Sequence, residues 1–234
     1  MLKQILDRAE QLKSKGQLLA VFDLDSTLFD VSPRTQKILQ DFTREEKIQK
    51  IYPMELTSLE KVNVQSSDWG VKEAIKRTQL KATLDFFEAV REYWIEHFFS
   101  DFYLHYDHPY DGAVEFVQNL ARSGAKIIYL TGRDIERMGK ATPEVLNKWK
   151  FPIEDPSDVI MKPKKGMSDS QFKLEIMQEL HSQYPETWFF ENEPANILLI
   201  EKHLPTIKII FFDSTHSGRA DIPFHLPKLK NFRY

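Results

Sequence analysis

An unbroken apolar run, Leu18-Leu19-Ala20-Val21-Phe22, ends on Asp23-Leu24-Asp25-Ser26-Thr27-Leu28, delivering two carboxylates one residue apart and then a hydroxyl pair. A short continuous apolar run bounded by polar residues predicts a strand buried on both faces, as in a parallel sheet covered by helices. Such sheets bind ligands just beyond the carboxyl ends of their strands, where Asp23 and Asp25 would stand. Two like charges placed together repel each other and imply a cation. Oxygen donors of this kind suit Mg²⁺, which takes one or two carboxylates and completes its shell with water and phosphate oxygens. The chemistry implied is phosphoryl transfer. Taken alone, the same residues also suit a plain turn after a strand.

Three further segments extend the pattern. Lys126-Ile127-Ile128-Tyr129-Leu130-Thr131-Gly132-Arg133 is a second apolar strand, ending at a hydroxyl and a glycine. Glycine lets backbone N–H groups approach an anion, the Thr131 hydroxyl can hold a phosphate oxygen, and Arg133 follows at the mouth of the expected site. In Ser168-Asp169-Ser170-Gln171-Phe172-Lys173, a serine or aspartate caps a helix that carries Lys173 in its first turns, where the dipole is already positive. Thr187-Trp188-Phe189-Phe190-Glu191-Asn192-Glu193-Pro194-Ala195-Asn196 is again an apolar strand followed by acidic and amide oxygens.

In this order the four segments resemble the haloacid dehalogenase superfamily of aspartate-based phosphohydrolases, over most of the chain outside Pro33 to Asp107. The Asp23-Leu24-Asp25-Ser26-Thr27 signature is the most specific part. The resemblance implies that Asp23 attacks the substrate phosphorus and forms an aspartyl-phosphate that water then hydrolyses. Asp25 would give a proton to the leaving oxygen and later take one from water. Thr131 and Lys173 would hold the phosphoryl oxygens, with Thr27, Gly132 and Arg133 as further phosphate or substrate contacts. Dehalogenating members lack an acid at the position of Asp25, so halide displacement is not expected. The metal would be Mg²⁺, on Asp23, Asp25 and at least one of Glu191 and Asn192. That last pair departs from the usual paired aspartates or glycine-aspartate, with Asn196 at the family's spacing behind it. A neutral amide lowers the charge around the ion and so weakens its binding. Glu191 and Asn192 also suit plain capping of the next helix.

Apolar strands alternating with helical patterns argue for an α/β, doubly wound, Rossmann-like parallel sheet. Helices are expected at Ala113 to Arg122 and Ala195 to His203, and strands at Asp158 to Met161 and Ile207 to Phe212. The interval from Asp25 to Thr131 far exceeds the roughly 30 residues of one strand-helix-strand unit. Residues 33–107 therefore read as a helical insert, with 1–32 and 108–234 as the core. Phe87, Val90, Trp94, Phe98 and Phe102 recur at helical spacing, and Lys72 to Leu84 runs without proline. The resemblance makes the insert a cap hinged near Val31 to Pro33 and His108 to Tyr110. Its aromatics read as packing, and His105, Asp107 and His108 as hinge polarity before a second metal site. Lys162, Lys164 and Lys165 read as a solvated loop, and Pro223 to Tyr234 as a surface tail.

With 32 basic and 35 acidic residues, bulk charge gives no reason to expect nucleic acid. Zero cysteines exclude disulfides and thiolate metal sites. No secretory h-region and no run of the roughly 20 apolar residues needed to span a membrane is present, which makes a cytoplasmic location the default. The expected function is a Mg²⁺-dependent phosphatase for a small soluble phosphomonoester. A phosphotransferase or mutase on the same scaffold, or a catalytically weak binding protein, are the alternatives.

Overall fold

The computed structural model describes residues 1–234. Along the chain run α1 (Leu2–Leu12), β1 (Leu18–Phe22), β2 (Phe29–Asp30), α2 (Ser32–Phe42), α3 (Glu46–Ile51), α4 (Pro53–Leu59), α5 (Lys72–Arg77) and α6 (Leu84–Phe98). A 3₁₀ turn at Asp101–Tyr106 leads to β3 (His108–Pro109), α7 (Ala113–Arg122), β4 (Lys126–Asp134), α8 (Ile135–Met138) and α9 (Ala141–Lys148). The chain closes with β5 (Val159–Lys162), α10 (Asp169–His181), β6 (Glu186–Glu191), α11 (Pro194–His203), β7 (Lys208–Phe212) and β8 (Lys228–Leu229).

Six strands form one parallel sheet in the order β5-β4-β1-β6-β7-β8. Every residue of β1 is buried, and alternation along it divides the core in two. Leu18, Ala20 and Phe22 pack into a cluster with α1 and α7, whereas Leu19 and Val21 pack into one with α10 and α11. A strand covered by helices on both faces must be apolar throughout, which is why the run is unbroken. From β1 the order runs outward to β4 and β5 on one side, then returns to β6 on the other, so the crevice for a ligand opens at the ends of β1 and β6.

Residues 32–106 build a separate helical layer with an apolar cluster of their own, centred on Leu39, Phe42, Leu59, Phe86 and Val90. The chain enters and leaves that layer through β2 and β3, which pair antiparallel with Asp30 opposite His108.

Four local expectations are corrected. The strand expected to stop near Thr131 runs on to Asp134, because the pairing with β5 shifts between Thr131 and Asp134 and lets the ladder continue past Gly132. The helix expected over Lys72 to Leu84 breaks after Arg77: Gln79 is left-handed at φ 59°, and Thr83 caps the next helix by accepting from the Phe86 N–H. Phe102 lies beyond α6 and is 68% exposed, so the aromatic stripe ends at Phe98. The tail also folds inward. β8 extends the sheet, and Phe232 is fully buried, its ring 5.1 Å from Phe212 and 5.7 Å from Phe116. Gly112 makes this possible: at φ 77° a Cβ there would meet the Phe232 carbonyl at 2.7 Å.

Candidate active site

Strand register places the first carboxylates. Phe22 pairs with Tyr129 on β4 and with Phe190 on β6, so Asp23, one residue on, lies beside the ends of both neighbours. Its backbone N–H donates to the Phe190 carbonyl at 3.0 Å, which brings Glu191 alongside. Ser168 caps α10 by accepting from the Gln171 N–H, and the first turns of that helix carry Lys173 inward. The Lys173 ammonium is 2% exposed and donates to Asp23 Oδ1 at 2.6 Å and to Glu191 Oε2 at 2.7 Å. Gly132 allows α10 to come this close, since a Cβ would stand 2.7 Å from Asp169 Oδ2. Thr131 is buried beside it and accepts from the Arg133 N–H.

The electrostatics follow from burial and pairing. Burial, helped by the Glu191 charge, pushes the Asp23 carboxyl up to about 7 against the pull of Lys173. The Lys173 ammonium is disfavoured by burial, yet Asp23 and Glu191 outweigh that and hold it firmly protonated. Glu191 is saturated without further ligands: Oε1 accepts from the Asn192 and Glu193 N–H groups, and Oε2 from Lys173 and Asn196 Nδ2.

Asp25 belongs to a second cluster that motif reading missed. Arg34 Nη2 donates to Asp25 Oδ1 at 2.5 Å, Arg133 Nη2 donates to the same oxygen at 2.6 Å, and Arg133 Nε reaches Oδ2 at 3.3 Å. The same two arginines donate to Asp107, Arg34 Nε at 2.8 Å and Arg133 Nη2 at 2.7 Å. Burial alone would raise the Asp25 carboxyl, but Arg133 and Arg34 hold it well below the usual carboxylate range. Asp107, fully buried, is pushed up to about 6 by desolvation despite both arginines. Arg133 is among the residues lining the cavity, with its side chain 1% exposed and paired to both aspartates. A signal for Arg34 was present, since it shares a helical stripe with Ile38 and Phe42, where a charge must find a partner.

The remaining expected residues fall as follows. Thr27 is fully buried behind the cavity wall, and its hydroxyl donates to Asn192 Oδ1 at 3.1 Å, so it supports Asn192 and does not face a substrate. Asn192 Nδ2 donates to the Thr215 carbonyl. His105 and His108 are exposed while Asp107 turns inward to the arginines, which leaves no second metal site there. Lys162 is buried and pairs with Asp169, whereas Lys164 and Lys165 are exposed. No three His, Cys, Asp or Glu side chains form a ready-made metal centre. Asp23, Asp25, Thr131, Gly132, Lys173 and Asn192 line one cavity of about 520 Å³ between the sheet and the helical layer.

The family model of the haloacid dehalogenase-like hydrolases matches residues 18–202. The chain belongs to that family. No curated protein matches its sequence. Among solved structures, a "Putative Phosphatase" from Clostridium difficile is 15% identical, covers 83% of this chain and 84% of its own, and superposes with a TM-score of 0.53. A HAD-superfamily hydrolase from Ehrlichia chaffeensis is 13% identical over 92% of this chain and 91% of its own, with a TM-score of 0.49. At 15% identity the likeness to the first of these is one of fold. As a haloacid dehalogenase-like hydrolase, the protein is an enzyme whose α/β core places Asp23 at the carboxyl end of its central strand. No helix is long and apolar enough to cross a membrane.

Proposed function

We propose that this hydrolase is a Mg²⁺-dependent phosphatase that cleaves a small phosphomonoester through an aspartyl-phosphate on Asp23. The observation that carries the reading is the Lys173 bridge between Asp23 and Glu191 on the cavity wall, which fixes a buried carboxylate beside a cation able to hold phosphoryl oxygens. The cavity volume is in the range of small-molecule sites. Residues 33–107 act as a cap over the core formed by 1–32 and 108–234, and exclude bulk water from the cavity between them.

A carboxylate oxygen of Asp23 forms a bond to phosphorus as the bond to the leaving oxygen breaks, and Thr131 and Lys173 spread the charge of the equatorial oxygens. Water then attacks the same phosphorus, its proton passes to Asp25, and the Asp23–phosphorus bond breaks. The paired arginines present Asp25 as a carboxylate, the form that accepts this proton. Leaving groups that depart as stable anions, such as aryl oxides, therefore suit the resting arrangement best.

The donor chemistry fits Mg²⁺. Asp23, Asp25 and the Asn192 amide put oxygen donors around one cavity, the donor type that Mg²⁺ takes. Asp23 and the Asn192 amide oxygen would hold the ion, with water and phosphate oxygens completing its shell; Glu191 serves Lys173 and the strand end instead. When bound, Mg²⁺ supplies neutralisation of charge on the transferred phosphoryl group.

The test is phosphate release from an aryl phosphate with and without Mg²⁺, beside Asp23→Asn. Metal-dependent turnover that vanishes in the variant, with radiolabelled phosphate trapped on the native chain by acid quench, supports the route. Turnover that survives Asp23→Asn rules it out.

A further inference from the structure

The quartet of Asp25, Arg34, Arg133 and Asp107 spans two parts of the molecule. Arg133 comes from β4 in the core, and Arg34 from α2 in the helical layer. Each arginine donates to both aspartates, so the four side chains close a ring. Arg34, Arg133 and Asp107 are at most 1% exposed on their side chains, whereas Asp25 is 26% exposed. Asp25 and Arg133 line the cavity, and Asp25 is the more exposed of the two.

Arg34 is held by its own layer at two further points. Nη1 donates to the Phe98 carbonyl at 3.0 Å, and the guanidinium lies 4.1 Å from the centre of the Phe98 ring. Its place is therefore set by α2 and α6 as well as by its bonds within the ring. Taking four charged groups out of water is costly, and an apolar filling of the same volume is often as stable. A ring like this earns its place through geometry: the Arg133 fork grips both oxygens of Asp25 and Arg34 adds a third bond at Oδ1 from another direction, which fixes the carboxylate rotamer more tightly than the fork alone can.

We infer that Arg34 is a positioning residue that turns the Asp25 carboxylate toward the cavity only while the helical layer is seated on the core, so that seating and hydrolysis are coupled. Displacing the layer withdraws the Arg34 bond to Asp25 Oδ1 and leaves the carboxylate to Arg133, which is shared with Asp107. The inference rests on the phosphatase reading, because it gives Asp25 a proton to accept.

The test compares Arg34→Ala and Arg34→Lys with the native enzyme on an aryl phosphate with Mg²⁺, following steady-state turnover and the level of acid-trapped phosphoenzyme. In Arg34→Ala, kcat falls on the order of 100-fold with KM little changed. Phosphoenzyme accumulates, because the water step needs Asp25 more than the first displacement of an aryl oxide does. Guanidinium ion below its denaturing range restores part of the rate to Arg34→Ala, and Arg34→Lys, which keeps the charge but not the fork, falls between. An Arg34→Ala enzyme with native turnover overturns the inference. So does lost turnover without phosphoenzyme accumulation or guanidinium rescue, which marks a structural ion pair only. If the alanine variant does not fold, Arg34→Lys decides by whether its phosphoenzyme level rises. A native chain that shows no metal-dependent turnover removes the phosphatase reading and this inference together; an active native chain with an unaffected variant removes only the inference.

Discussion

Thr27 Oγ1 donates to Asn192 Oδ1 at 3.1 Å, tying the turn after β1 to the end of β6 behind the cavity wall. Asn192 in turn donates through Nδ2 to the Thr215 carbonyl at 2.6 Å. The amide therefore uses both of its ends: an acceptor for the hydroxyl and, on the proposed reading, for the metal, and a donor for the loop.

Asn192→Asp separates these roles. A carboxylate adds negative charge to the oxygen donors, so Mg²⁺ affinity rises about tenfold. The lost donor leaves the Thr215 carbonyl facing an anion, and the metal-free protein loses about 1–3 kcal/mol. Calorimetric Mg²⁺ titration and urea unfolding in chelator check the two halves independently.

Lys173→Met leaves Asp23 and Glu191 facing each other in a buried site with no cation between them. Removing one partner from such a cluster costs about 3–5 kcal/mol. Turnover falls at least on the order of 100-fold, since the variant also lacks a donor to the phosphoryl oxygens. Denaturant unfolding and aryl phosphate kinetics are the measurements. Native stability in the variant would mean that the bridge does not hold the site together.

Asp107 gives a pH signature. Its carboxyl stands at about 6 in the folded chain, against 3.8 for a free side chain. The folded state thus keeps a proton between these values that the unfolded state has lost, and the resulting stability is complete below pH 3.8 and is lost as pH rises through 6. Relative to Asp107→Asn, the native chain becomes less stable as pH rises across that window and levels off above it. Unfolding curves for both proteins at a series of pH values reveal the slope, and parallel stabilities would refute it.

Phe232→Ala empties the stack against Phe212 and Phe116 and costs about 3–5 kcal/mol. Thermal unfolding reads the loss. Aryl phosphate turnover at low temperature stays near native, because Phe232 lines no part of the cavity.

The core was legible because its signals are local. A short apolar run without alternation, bounded by polar residues, reads as a strand covered on both faces, and β1, β4, β6 and β7 all carry such runs. Asp23 falls just past the end of β1 and Lys173 in the first turns of α10, where the sequence places them, whereas Thr131 lies inside β4 and not at its end. The tail was misread because two prolines and scattered aromatics say nothing of the sheet edge at β7 and the Phe212 ring that receive them. Thr27 was misassigned for a related reason: the hydroxyl next to a motif faces whichever neighbour the turn presents, and here Ser26 at φ 64° directs the chain so that Thr27 meets Asn192. The ring around Asp25 joins residues 9, 26, 73 and 108 positions apart, and no periodicity spans such intervals.

The pairing of Asp30 with His108 puts the two ends of the helical layer side by side on adjacent strands. A segment that starts and stops at one place is topologically a long hairpin loop. The parallel sheet therefore never depends on its length, and the layer can be exchanged for another of different size or shape, or trimmed to a short turn, without altering any strand order. What such a graft must bring with it is one guanidinium at the position of Arg34.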